Sequence, residues 1–237
     1  MVMDERTLYA LYVVAMAIGA FVFLLMGQNR RGVPAEEYLI AMFIPIWSGL
    51  AYLSMAFGQG SVEVNGQTVY FARYLDWVVT TPLLLVALAF TAMYKVKKDF
   101  VLIGGLIAAD VVMILTGLIA DLSPEPVRFL WYALGVAALA VLLYLVWGPV
   151  RARARQNPDP RIAGITTKLV TFLTVFWFVY PLVWLLGPSG VGVIDRGLET
   201  LLFVVVPIIS KVGFSLYDLT MLRRLEAESA PGARAYA

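Results

Sequence analysis

Five charged side chains stand inside stretches that otherwise read as lipid-soluble: Arg73, Asp76, Asp110, Lys211 and Asp218. A charge placed in hydrocarbon costs about 3 kcal/mol or more, so such residues pair, face a cavity or carry function. Lys211 interrupts "LETLLFVVVPIISKVGFSLYDLTML". It is roughly 20 Å along its span at the helical rise, close to mid-membrane and out of easy reach of either surface. Two roles suit such a lysine. It can be a structural ion-pair partner, or a neutral amine, its charged form disfavoured by desolvation, that condenses with an aldehyde to a Schiff base. The chain contains no cysteine and no histidine. Thiolate chemistry, Ser-His-Asp triads, imidazole-held zinc and haem ligation by imidazole are therefore excluded, and a covalently held chromophore is the sharper reading. Arg73 and Asp76 share a helix face at i, i+3 in "FARYLDWVVTTPLLL", and Thr80 follows Asp76 at i+4. They can form a local pair, or Asp76 can be the counterion of a cation on Lys211, which accounts better for its depth. Asp218 follows Lys211 by nearly two helical turns, about 10 Å further on and on the same face. Glu199, near the outer end of the last span, is a weaker member of the group.

Only transmembrane helices can position these residues. Of the 237 residues, 61% are hydrophobic and 14% charged, and the mean hydropathy of +0.84 fits an integral membrane protein rather than a soluble domain. Seven apolar runs are long enough to span, at residues 8–26, 37–57, 69–93, 100–122, 127–150, 168–186 and 198–222. The start "MVMDERTLYALYVV" lacks the pattern of a cleaved leader. The expected fold class is an all-α seven-helix membrane bundle, a single domain over residues 1–237. Residues 223–237 form a short, disordered cytoplasmic tail in this reading. In the second separator, "SVEVNGQTVYF" alternates around Asn65-Gly66, which predicts a small β-hairpin. The separator "RARARQNPDPRIAGITT" reads as a long basic loop.

Basic residues set the orientation. Arg30, Arg31, Lys95, Lys97, Lys98, Arg151, Arg153, Arg155, Arg161, Lys168, Arg223, Arg224 and Arg234 fall in the first, third and fifth loops and the tail. Only Arg6, Arg128 and Arg196 fall on the other side. The N-terminus is expected outside and the C-terminus in the cytoplasm of a cell (plasma or inner) membrane. In the sixth span, Trp177, Tyr180, Pro181 and Trp184 of "FWFVYPLVW" occupy one stripe, and Pro181 implies a kink. No repeat or phosphate-binding loop is present, and no nucleic-acid partner is expected.

Taken together, "RYLDWVVTTPLLL", "WFVYPLVWLLGPSG" and "SKVGF" resemble the microbial rhodopsins, seven-helix proteins with all-trans retinal on a lysine of the last helix. The resemblance extends over essentially the whole chain, including "ADVVMILTGL" and "RFLWYALG". It implies that Lys211 carries the retinal Schiff base and that Asp76 is its counterion. Trp77 and Trp177 would clamp the polyene. Tyr52, Thr80, Thr81, Leu84, Met113, Gly117, Tyr132, Tyr180, Pro181, Trp184, Pro207 and Ser210 would shape the pocket, with Asp110 as a pocket-side carboxyl. Leu84 matches green-absorbing members. Arg73 would organise the outer half-channel, and Glu199 matches an outer release carboxyl whose usual partner position is here Ser189.

Two departures bear on function. Pro207 stands where outward pumps of the family place a second counterion aspartate, and Ala87 stands where they place the inner proton donor. Pro207 together with Asp218 resembles the xenorhodopsin branch, as do "RRGVPAEEYLIAMFIPIWSGLAY" and "KKDFVLIG". That branch contains inward proton pumps and cyanobacterial-type sensory rhodopsins. The leading expectation is thus a light-driven inward proton pump, not an enzyme, with Asp218 as cytoplasmic proton acceptor. The alternative for Asp218 is a carboxylate solvated at the inner interface. The alternative function is a photosensor that signals to a cytoplasmic transducer without net transport. A channel or a chloride pump fits less well, because chloride pumps of the family generally have a neutral residue at the Asp76 position. The lipid bilayer, protons and a homotrimer are the implied partners.

Overall fold

A computed structural model describes residues 4–229. Seven helices long and apolar enough to cross a membrane make up nearly all of it. They are α1 (Glu5–Gln28), α2 (Ala35–Ala56), α3 (Phe71–Ala92), α4 (Phe100–Leu122), α5 (Val127–Arg155), α6 (Arg161–Leu186) and α7 (Arg196–Ser229). Between α2 and α3, β1 (Val62–Val64) pairs antiparallel with β2 (Gln67–Val69). The hairpin closes through Asn65 and Gly66, both at positive φ, as a type I′ turn requires. Its Gln67 Nε2 donates to Pro188 O at 2.9 Å, which ties the hairpin to the α6–α7 loop.

Helix starts follow local chemistry. The Asp99 carboxylate accepts from Leu102 N at 3.0 Å and caps α4, and the Asp195 carboxylate accepts from Leu198 N at 2.8 Å and caps α7. α3 is the most buried of the seven, and α7 follows. The two helices that carry most of the intramembrane charge are thus the two best shielded from lipid. Large apolar side chains such as Leu11, Ile18, Phe21, Leu130 and Phe178 cover the outside, as a bilayer-facing surface needs. Inside, a large apolar cluster fills one half, with Leu84, Leu85, Leu88, Leu173, Phe214 and Leu222 at its centre. A smaller cluster around Tyr9, Tyr12, Met16 and Tyr52 fills part of the other half.

Two local expectations are corrected. The segment read as a long basic loop is mostly helix: α5 continues to Arg155, α6 begins at Arg161, and only residues 156–160 connect them. Asp159 accepts from Arg161 N at 3.0 Å and starts α6 there, while buried Ile162 and Thr166 anchor its first turns. The residues after Leu222 are also helical, as far as Ser229. Leu225 is buried there, and Glu226 accepts from Lys95 Nζ at 2.7 Å and Tyr94 Oη at 3.0 Å. Residues 230–237 of the expected tail, Arg234 included, lie outside the described residues. Two helices also contain a π-helical turn that periodicity does not reveal, at Val146–Val150 in α5 and at Ile208–Gly213 in α7. The second surrounds Lys211. It starts directly after Pro207, where the missing N–H has already broken the helical ladder.

Candidate functional site

Lys211 and Asp76 meet in the middle of the bundle as a fully buried ion pair. Three further side chains complete the cluster. Ser48 donates to Asp76 Oδ2 at 3.0 Å, and Thr80 donates to Asp76 Oδ1 at 3.1 Å. Lys211 Nζ donates to Ser48 Oγ at 2.9 Å, and Tyr12 Oη lies 2.6 Å from the same oxygen. Ser48 has one proton, and it goes to Asp76. Tyr12 must then donate to Ser48, which fixes the direction of the whole chain. Breaking a pair this buried by removing one partner costs about 3–5 kcal/mol, because the other charge is left without compensation.

Arg73 does not pair with Asp76. Its guanidinium turns outward, 3.6 Å from Glu199, and donates to Tyr9 Oη at 3.2 Å and Thr200 Oγ1 at 3.4 Å. The rings of Tyr70 and Phe203 flank it at 4.5 and 4.8 Å. Of the two arrangements left open for Asp76, the local one is absent and the contact with Lys211 is present.

Beside this cluster lies an apolar cavity. Trp77, Thr81, Met113, Gly117, Tyr132, Trp177, Tyr180, Pro181 and Trp184 are all on its wall. The aromatic stripe of α6 therefore faces one space, and α6 continues through Pro181 to Leu186. Gly117 gives Tyr74 room, since a Cβ there would lie 3.3 Å from the Tyr74 ring. Tyr132 stacks on Trp184 at 4.8 Å and donates to Pro181 O at 3.2 Å. The wall residues adjoin the ion pair directly. Trp77 follows Asp76 in α3, and Tyr180 Oη is 2.8 Å from Ser210 Oγ, next to Lys211. The lining suits an apolar group held beside the lysine.

The lining of this cavity does not include Thr80, Leu84, Asp110, Pro207, Ser210 or Lys211. Asp110 is fully buried and accepts from Thr81 at 2.6 Å. Tyr52 stacks on Tyr12 at 3.8 Å and donates to Phe203 O at 2.5 Å. That carbonyl is the one that Pro207, lacking an N–H, cannot satisfy four residues on. Tyr52 thus compensates for the proline beside the lysine.

Asp218 is buried, not solvated at the interface. Its Oδ1 accepts from Thr91 at 2.8 Å. Glu37, also buried, has an Oε2 without a partner. Between Lys211 and this inner region stand Leu84, Leu88 and Phe214, all fully buried, and Ala87 adds nothing polar. Sequence reasoning passed over Ser48, Tyr12, Thr91, Glu37 and Asp121. Glu37 had a visible signal in a carboxylate at the start of an apolar run. Asp121 lies inside the fourth apolar run and is in the last turn of α4, buried.

The family model described as bacteriorhodopsin-like protein matches residues 3–225. Archaerhodopsin-1 of Halorubrum ezzemoulense is 39% identical over 91% of this chain and 84% of its own length. Sensory rhodopsin-2 of Haloarcula vallismortis is 33% identical over 86% of this chain and 83% of its own. The crystal structure of a cyanorhodopsin from Calothrix sp. superposes with a TM-score of 0.87 at 33% identity, covering 96% of this chain and 98% of that one.

Proposed function

The chain belongs to the bacteriorhodopsin-like family, and on that premise we propose that it is a light-driven inward proton pump of the xenorhodopsin branch. Family members are multi-pass membrane proteins that bind retinal covalently through a lysine Schiff base. Lys211 is the assigned attachment point, and the apolar cavity next to it is the assigned site of the polyene. Bound there, retinal supplies light absorption and a nitrogen proton whose exit changes on isomerisation.

The protein's own residues account for the rest of the cycle. Asp76 holds the positive charge at Lys211 in the dark, and Ser48 and Thr80 keep the carboxylate in place through hydrogen bonds that stabilise its negative charge. Asp218 receives the outgoing proton about 10 Å nearer the cytoplasm. The apolar layer of Leu84, Leu88 and Phe214 keeps water out of that path at rest. Arg73, on the other side, organises the outer half from which the proton is replaced. The carrying observation is that Asp218 is buried and bonded to Thr91 while the position of an inner donor is Ala87. A group withdrawn from bulk water can hold a proton for a step of the cycle, and a solvated interfacial carboxylate has no such need.

The proposed orientation places the hairpin outside and the Arg151–Arg155 segment inside, following the basic residues. A lateral homotrimer is proposed from the resemblance. The second reading is a photosensor, favoured by the similarity to sensory rhodopsin-2. Illumination of unbuffered cells decides between them. Alkalinisation of the medium that an uncoupler abolishes is expected. Acidification overturns the direction, and no pH change with a copurifying partner replaces pumping by sensing. Asp218→Asn is expected to remove most of the transport, and undiminished pumping by that variant refutes its role as acceptor.

A further inference from the structure

A second, polar cavity, with room for about one water molecule, lies on the outer side of the proposed retinal site. Arg73, Tyr74, Asp121, Trp184, Ser189 and Glu199 line it. We propose that Asp121 of α4 and Glu199 of α7 form a two-carboxyl proton-holding site around Arg73, in which Asp121 takes the place of the carboxylate missing at Ser189. The inference rests on the proposed proton transport but not on its direction.

Ser189 is too short and too weakly acidic to share a proton with Glu199. Its backbone is held by Arg128, which donates to Ser189 O at 3.0 Å. The loop is thus pinned, and the hydroxyl cannot be replaced by movement of its own segment. The carboxylate arrives from another helix. Tyr74 donates to Asp121 Oδ2 at 3.0 Å and aims the group into the cavity.

Three polar atoms on the wall are buried without a well-formed protein hydrogen bond, Asp121 Oδ1, Arg73 Nε and Trp184 Nε1, and Ser189 and Trp184 are side chains close to the Asp121 carboxyl. Asp121 is 8% exposed and Arg73 5%. A buried carboxylate oxygen, a guanidinium N–H and an indole N–H left open on one small polar cavity are the requirements of bound water. Water joined to two carboxyls and one fixed cation can hold an excess proton, because Arg73 compensates a single negative charge while the second carboxyl is neutral. Glu199 contacts Arg73 at 3.6 Å and supplies the charge, so Asp121 is the member free to carry the proton. In transport the Asp121 O–H bond breaks, its proton passes through the water to the Glu199 carboxylate, where a new O–H bond forms, and the single negative charge beside Arg73 passes to Asp121; the reverse transfer restores the site.

The alternative is that Asp121 only anchors Tyr74. Asp121→Asn separates the two, since the amide oxygen still accepts from Tyr74 but cannot titrate. Light-minus-dark infrared spectra of the retinal-bound protein are expected to show a carboxylic C=O band that is lost in Asp121→Asn and shifted in Glu199→Gln. Identical carboxyl bands in wild type and Asp121→Asn overturn the proposal. Should that variant fail to form pigment, Tyr74→Phe in protein carrying isotope-labelled aspartate replaces it. An aspartate C=O band must then move when the Tyr74 hydroxyl is removed, and an unmoved band overturns the proposal. If Asp218 proves not to be the acceptor, the Asp121 band is still expected, so the two readings fail separately.

Discussion

Gly19 of α1 packs against the π-helical turn that holds Lys211, and Gly19→Ala tests how tightly that turn is held. A Cβ at position 19 would lie 2.7 Å from Val212 Cγ2 and 3.0 Å from Cγ1. Both methyls are in the way, so exchanging them by rotation gives no relief, and a β-branched side chain in a helix has little other χ1 freedom. Overpacking of this kind costs about 1–3 kcal/mol. Against it stands the helical preference of alanine over glycine, about 1 kcal/mol. Gly19→Ala alone is therefore expected to be neutral to about 2 kcal/mol destabilising. In a Val212→Ala background the same change is expected to be stabilising by up to about 1 kcal/mol, because only the propensity gain remains. The coupling energy of the double-mutant cycle is the decisive quantity, about 1 kcal/mol or more. Reversible unfolding in mixed micelles, followed by circular dichroism for all four proteins, measures it. Coupling below about 0.5 kcal/mol would show that α1 and α7 yield to each other freely and refute a rigid setting for Lys211.

Lys211→Ala is expected to abolish the visible band after addition of retinal while circular dichroism remains helical; a surviving covalent pigment would place the attachment on another lysine. Thr91→Val is expected to slow proton arrival at Asp218 in flash photolysis with a pH dye, since Thr91 is its one hydrogen-bond donor among the described residues. The carboxylate loses a charge-assisted bond of about 1.5–3 kcal/mol there, and unchanged kinetics count against a functional Asp218. At the start of α4, the cap at Leu102 N and Arg153 hold the Asp99 carboxyl below the usual carboxylate range. A depressed folded value adds stability above the ordinary value near 3.9, and this is lost as pH falls through the lower folded one. Asn still caps a helix, so the melting difference between wild type and Asp99→Asn is expected to be full at neutral pH and to vanish in strong acid. A difference that does not change with pH assigns the effect to something other than charge.

Apolar runs, turn residues and isolated charges are local properties of the chain. They were enough to read seven helices, the Asn65-Gly66 hairpin, the aromatic stripe of α6 and the special status of Lys211 and Asp76. Local reading failed where tertiary contacts extended helices beyond the apolar core, as at Arg151–Arg155 and Arg161, and where Pro207 led into a π turn. It also could not say which residues meet. Arg73 and Asp76 share a face in sequence, yet Arg73 turns to Glu199 because α7 brings a carboxylate and Thr200 to it. Ser48 and Tyr12 look like ordinary packing residues until α1, α2, α3 and α7 converge on one carboxylate. Asp121 looks like the charged end of an apolar run until Tyr74 and Arg73 share a cavity with it. Hydropathy and spacing report the cost of placing a single residue in lipid, and on those terms the sequence alone identified a membrane bundle with a lysine buried in it. The partners of each buried charge come from helices distant in sequence, so only the tertiary packing decided which carboxylate faces the lysine, which faces the arginine and which is set apart beside Thr91.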